Sequence, residues 1–269
     1  MDILGMKKLL KKKKLFIFDL DGTLYLDGVM FPKALELLDH INKNDGKYVF
    51  LTNNSSRSSK DYVKKINNLG IKCDLSNVAT STQATIHYLK ANHLNDLFYV
   101  VGTKSMVQEM KEAGIKVTTE ESEDIDGVIL GYDTELDYKK IEVASKLITN
   151  GKIYIATHPD FVCPVKFGFV PDCGAFAKML EYATKRTPLV IGKPERLIVD
   201  LILEKTGYKS SEAILVGDRL YTDIACGKNA GIDTILVLSG ETKLEDIKSD
   251  IEKPTFVLED VAKIYELLN

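Results

Sequence analysis

No two cysteines of this sequence are spaced as a CxxC pair; Cys73, Cys163, Cys173 and Cys226 stand apart. That excludes a zinc ribbon and a thioredoxin-type site, and leaves the reduced, partly buried thiols of a cytosolic protein as the expectation. Long apolar runs are missing too. After the basic opening MDILGMKKLLKKKK, the run Leu15–Phe18 stops at Asp19. A secretory core needs about 7–15 apolar residues and a membrane helix about 20. A soluble, cytoplasmic chain with no membrane partner is therefore expected. Nor is there an excess of one charge: 36 Lys and Arg against 39 Asp and Glu leave a net charge of −3. A nucleic acid polymer would need a strongly basic face, and the Lys11–Lys14 run reads instead as a solvated lead-in to a strand. Arginine is scarce (Arg57, Arg186, Arg196 and Arg219), and no Pro/Gly/Ser linker or fixed-period repeat appears.

What is present is a chain of 269 residues, 45% hydrophobic and 28% charged. At about 150 residues per domain this is one large domain or two modest ones. Apolar runs predict strands at Leu15–Phe18, Tyr48–Thr52, Phe98–Gly102, Gly127–Leu130, Ile153–Ala156, Ala213–Val216 and Thr234–Leu238. Helical spacing predicts helices over Ala34–Asn44, Ser59–Leu69, Ser105–Ala113, Tyr138–Asn150, Gly174–Ala183, Glu195–Thr206 and Asp223–Ala230. Several end before a glycine, among them Gly70, Gly114, Gly151, Gly207 and Gly231, as helix C-termini favour. Strand alternating with helix means a parallel α/β sheet. There are more such units than one small sheet needs, so two α/β modules are expected.

Four segments carry chemistry. Asp19-Leu20-Asp21-Gly22-Thr23 follows the first apolar run directly. Ligand sites of open parallel sheets lie at the carboxyl ends of strands, and a strand continuing straight would put both carboxylates on one face. At average residue frequencies the chance occurrence of such a string is on the order of one in several hundred. Leu51-Thr52-Asn53-Asn54-Ser55 also follows a strand; its side chains and backbone N–H groups suit phosphate oxygens and equally suit an ordinary cap. Ile191-Gly192-Lys193-Pro194 holds a lysine in a constrained loop, where it can deliver a point charge to a phosphate. Gly217-Asp218-Arg219-Leu220-Tyr221-Thr222-Asp223 again ends a strand in carboxylates, hard oxygen ligands of the kind Mg²⁺ takes.

Taken in order, DLDGT, LTNNS, VIGKPE, GDRLYTD and VLSGET resemble the haloacid dehalogenase (HAD) superfamily, and within it the NagD-type or 4-nitrophenylphosphatase-like subfamily, class IIA. The resemblance runs from about Lys14 to the end. It implies a doubly wound, Rossmann-like parallel-sheet core over residues 1–82 and 190–269, and an inserted α/β cap of C2 type over 83–189. It implies a Mg²⁺-dependent phosphatase of small phosphomonoesters, with 4-nitrophenyl phosphate as a substrate in vitro. Asp19 would be the nucleophile and Asp21 the general acid and base. The metal would be held by Asp19, the main-chain carbonyl of Asp21, and Asp218. Asp223 would stand behind it, holding water or orienting Lys193. Thr52, Asn53 and Lys193 would hold the transferring phosphoryl group, with Asn54 contributing through its backbone or to the substrate. A specificity loop is expected near 157–174. There His158 and the Pro171–Gly174 turn stand where relatives often carry Asn or Asp and a glycine-rich turn, which leaves the substrate open. A homodimer through the cap is common in such proteins. A phosphotransferase on the same scaffold and a non-catalytic phosphometabolite-binding protein are the alternatives.

Overall fold

Leu15–Phe18 reads LFIF and is buried at every position, as a strand covered on both faces of a parallel sheet must be. In this computed structural model, which describes residues 3–247 and 253–269, that strand is central. It pairs in parallel with Ala213–Gly217 on one side and Lys47–Thr52 on the other. Asp233–Val237 and then Phe256–Leu258 extend the sheet beyond the first neighbour, and Val78–Thr80 closes the far edge. Phe16, Phe18, Tyr48, Phe50, Ile214 and Val216 belong to one apolar cluster. Ala34, Leu37, Leu38 and Ile41 of the helix Ala34–Lys43 and Val261 and Ile264 of the helix Val261–Leu268 complete it.

The chain divides into two compact units. One comprises Met1–Thr52, Tyr62–Ala79 and Lys193–Asn269; the other comprises Asn53–Asp61 and Thr80–Gly192. The second unit has its own five-stranded parallel sheet, in the order Leu189–Val190, Ile153–Ala156, Gly127–Leu130, Phe98–Val101 and Val117–Thr118. Its core is built from Tyr99, Val101, Val128, Leu130, Leu147, Ile148 and Leu180, among others. An antiparallel hairpin pairs Val162–Val165 with Gly168–Pro171. Asn53–Asp61 is fastened within this unit: Thr103 Oγ1 donates to the Ser56 carbonyl, Ser105 Oγ to Asp61, and Ser59 Oγ to Glu109.

Each predicted strand forms, with ends shifted by at most one residue. All five glycines expected to end helices adopt positive φ, where a side chain would be strained. The helix Ser81–Asn92 was not expected. It buries Ser81, Thr82 and Thr85 together with Ala84, Ile86 and Leu89, so no apolar stripe betrays it. The N-terminus also departs from the solvated lead-in expected of the Lys11–Lys14 run. Ile3–Leu10 is a helix, and Lys13 is not solvated: its Nζ lies 2.6 Å from Asp233 Oδ2 and donates to the Ser211 carbonyl at 2.8 Å. A flexible four-carbon stem lets a lysine charge reach a partner at the sheet edge, which a run of like residues in sequence does not reveal.

Candidate active site

Parallel pairing sets the register of the first unit's strand ends. Phe18 lies opposite Val216 and Phe50, so Asp19, Thr52 and Asp218 all emerge at the carboxyl edge of three adjacent strands. The Asp19 N–H donates to the Val216 carbonyl at 2.9 Å, prolonging the ladder by one step.

Lys193 enters from the loop after Gly192 and is almost wholly buried. Its Nζ donates to Asp19 Oδ1 and to Asp223 Oδ1, each at 2.6 Å. Burial opposes the charge on Lys193, but the two carboxylates outweigh it and hold the ammonium well above the ordinary lysine value. Burial pushes Asp19 well above the usual carboxylate range; Lys193 pulls it back, while Asp223 and Asp218 push it further up. The lysine therefore retains its charge, since the ammonium donates to two carboxylate acceptors at close range.

Asp218 is held by a different device. Its Oδ2 accepts the Glu241 N–H at 2.7 Å. A Cβ on Gly240 would fall 2.0 Å from that oxygen, and one on Gly22 would fall 2.6 Å away. Glycine at both positions is therefore what lets the backbone close on the carboxylate. Burial, then the nearby Asp223, pushes Asp218 up to about 6. Among the described residues its buried Oδ1 has no hydrogen-bond partner, a costly state for a carboxylate oxygen.

Asp223 sits on a single π-helical turn, Leu220–Ile224, ahead of the short helix Ala225–Asn229. The helix expected over Asp223–Ala230 thus begins later, and the wide turn returns Asp223 to the strand end. Asp223 Oδ2 accepts the Arg219 N–H at 3.1 Å. A Cβ on Gly217 would come 2.3 Å from the Asp223 side chain, so the glycine opening the GDRLYTD segment makes room for the aspartate that closes it.

One oxygen each of Asp19, Asp218 and Asp223 lies within 4.8 Å of the others. Three hard oxygens so close, one of them from a carboxylate with an orphaned buried atom, fit a small divalent cation.

Asp21 is half-exposed and stands outside this cluster. Its Oδ2 accepts from the Tyr25 hydroxyl at 3.1 Å and lies 3.7 Å from Lys65 Nζ. Thr52 is buried at the end of its strand. Asn53 and Asn54 fall in the second unit. Asn53 Nδ2 donates to Asp160, and Asn54 Oδ1 accepts from the Ser56 N–H and hydroxyl, closing a local turn.

Gly240 and Glu241 are absent from the site residues expected from sequence. Both lie within VLSGET, where the only signal was a glycine followed by an acid. Glu241 also pairs with Arg219 Nε at 2.9 Å and accepts from the Tyr221 hydroxyl at 2.7 Å.

Residues 16–116 match the family described as haloacid dehalogenase-like hydrolase, and residues 190–264 match the HAD-hydrolase-like family. The chain is 33% identical over 252 residues to an acid sugar phosphatase of Staphylococcus epidermidis, covering 94% of this chain and 96% of that protein. It is 34% identical over 254 residues to a 5'-nucleotidase of Bacillus subtilis, covering 94% and 98%. Among solved structures, 4-nitrophenylphosphatase from Thermotoga maritima superposes with a TM-score of 0.92 at 40% identity, over 97% of this chain and 99% of that one. NagD from Escherichia coli K-12 superposes with a TM-score of 0.85 at 35% identity, over 93% and 98%. Fold, site and kinship together define a phosphatase, a hydrolase acting on small phosphates. The chain belongs to the haloacid dehalogenase-like hydrolases, in the NagD-like class IIA.

Proposed function

We propose that this phosphatase hydrolyses small phosphomonoesters (sugar, nucleotide or cofactor phosphates, and 4-nitrophenyl phosphate in vitro) in a Mg²⁺-dependent reaction through an aspartyl-phosphate on Asp19. The observation that carries the reading is Lys193, bridging Asp19 and Asp223 at 2.6 Å each beside an Asp218 whose buried Oδ1 has no hydrogen-bond partner among the described residues. Among the described residues no helix is long and apolar enough to cross a membrane. The cysteines form no disulfide, which supports a reducing, cytoplasmic setting.

A carboxylate approaching a phosphate dianion meets repulsion, and Lys193 offsets part of it. An Asp19 oxygen attacks phosphorus, the bond from phosphorus to the ester oxygen breaks, and Asp21 gives that oxygen a proton. Water then attacks the phosphorus of the aspartyl-phosphate. Asp21 takes a proton from this water, and Asp19 leaves as a carboxylate with inorganic phosphate released. Thr52, Asn53 and Lys193 hold the equatorial phosphoryl oxygens, with Asn54 lending backbone support. Asp19, Asp218 and the Asp21 carbonyl would hold Mg²⁺, which when bound neutralises charge on the phosphoryl group. Asp223 keeps Lys193 in place from behind. Residues 83–189 serve as the cap that reads the leaving group and keeps bulk water out.

The test is phosphate release from a panel of phosphorylated metabolites with Mg²⁺, beside Asp19→Asn. Turnover that disappears in the variant and on chelation supports the chemistry. Full activity in Asp19→Asn would rule out Asp19 as nucleophile.

A further inference from the structure

Directly after the strand Ile153–Ala156 of the second unit come Thr157 and His158, and neither exposes any surface. The ring of His158 therefore offers nothing to a substrate. It stands instead between two carboxylates: Nδ1 is 3.6 Å from Asp160 Oδ2, and Nε2 is 3.5 Å from Asp172 Oδ1. Neither nitrogen has a hydrogen-bond partner among the described residues. On the far side of the ring, Asp172 is the N-cap of the helix Cys173–Thr184 and accepts the Cys173 N–H at 2.6 Å. On the near side, both oxygens of Asp160 accept from Asn53 Nδ2 at 3.2 Å.

The Asn53 carboxamide is enclosed from other directions as well. A Cβ on Gly192 would fall 2.6 Å from Asn53 Oδ1, so the backbone there packs against the amide oxygen. Ser81 Oγ donates to the Asn53 carbonyl. An asparagine amide has two orientations of nearly equal shape, and only its partners choose between them. A carboxylate admits only the orientation that points Nδ2 toward it.

We infer that Asp160 and His158 are positioning residues for Asn53: the buried imidazole, braced against the helix cap at Asp172, keeps the Asp160 carboxylate where it locks the Asn53 carboxamide in one orientation. The inference rests on the reading above that Asn53 contacts the transferring phosphoryl group. Neither Asp160 nor His158 touches substrate. Their effect passes through Asn53, where a displacement of about 1 Å is enough to cost on the order of 100-fold in rate.

The experiment is a mutant cycle with 4-nitrophenyl phosphate and Mg²⁺, using Asn53→Ala, Asp160→Asn, His158→Ala and the doubles with Asn53→Ala. Asp160→Asn and His158→Ala are expected to lower kcat by roughly 10- to 100-fold with little change in KM, the sign of a contact made in the transition state. In the Asn53→Ala background the same changes should cost less than about 2-fold, because their route is gone. His158→Asn and His158→Gln, which restore a polar side chain, should recover part of kcat. They also serve if His158→Ala does not fold. A spectroscopic readout stands apart from turnover. The side-chain ¹⁵N–¹H pair of Asn53, identified by its loss in Asn53→Ala, should shift in Asp160→Asn and in His158→Gln. Losses that simply multiply with Asn53→Ala, or an Asn53 signal unmoved in both variants, would overturn the inference while leaving the catalytic reading intact. Wild-type kcat in Asn53→Ala would instead remove Asn53 from the phosphoryl site, and the inference with it.

Discussion

Lys193 Nζ lies 2.6 Å from Asp19 Oδ1 although 174 positions separate the two in the chain. The same ammonium also donates to Asp223, so one buried cation faces a fully buried carboxylate and a partly exposed one. Lys193→Met would leave that pair uncompensated. We expect a loss of about 3–5 kcal/mol in stability, the range for stripping one partner from a buried ion pair. Turnover should fall by about 100-fold or more, as for removal of a charge that stabilises the transition state. Urea denaturation and steady-state assays check the two separately. Lys193→Arg should keep more stability than activity, since a planar guanidinium cannot replace a point charge between two acceptors.

Gly240 has no chemistry of its own, yet a Cβ there would fall 2.0 Å from Asp218 Oδ2. Gly240→Ala should therefore push the carboxylate aside and weaken binding of divalent cations. The expected result is an activity loss that higher Mg²⁺ partly reverses. Titration of activity against Mg²⁺ in the variant and the wild type reads it. An unchanged Mg²⁺ requirement would mean that Asp218 moves without consequence for the metal.

The pH behaviour follows from Asp218, which burial and Asp223 push up to about 6. In the metal-free protein the folded state binds this proton more tightly than the unfolded chain does, so this group's contribution to stability rises as pH falls from about 6 toward 4. A bound cation requires the deprotonated carboxylate and competes with that proton. The stabilisation that Mg²⁺ confers should accordingly be largest near pH 7.5 and shrink below pH 6, on an order-of-magnitude reading of the same linkage. Thermal melts with and without MgCl₂ at several pH values measure it. A Mg²⁺ shift independent of pH would remove Asp218 from the ligand set.

Lys13→Met tests the N-terminal ion pair. It leaves Asp233, a third of whose side chain is exposed, and the Ser211 carbonyl without their lysine. We expect a loss of about 1–3 kcal/mol, below the fully buried case because water reaches Asp233. Its exposed neighbour Lys12 is the control, where Lys12→Met should stay within about 0.5 kcal/mol. Chemical denaturation of both variants makes the comparison.

Much of this protein was determined by sequence alone. Unbroken apolar runs alternating with period-3.6 segments made the βα alternation legible, because burial on both faces of a parallel sheet demands runs such as LFIF and YVFL. Asp19, Thr52 and Asp218 could be assigned to strand ends because chain order alone says which residue follows an apolar run. What sequence leaves undecided is which strand ends are neighbours. Parallel pairing of Leu15–Phe18 with both Lys47–Thr52 and Ala213–Gly217 settles that, together with the loop that brings Lys193 to Asp19. The same holds for the π-turn that redirects Asp223, for the glycines that fit around Asp218, and for Asn53 folding with the second unit while Thr52 folds with the first. Local patterns are set by the residues within one turn or one strand of each other. These relationships depend instead on which distant backbones approach within a few ångströms, and only tertiary packing fixes that.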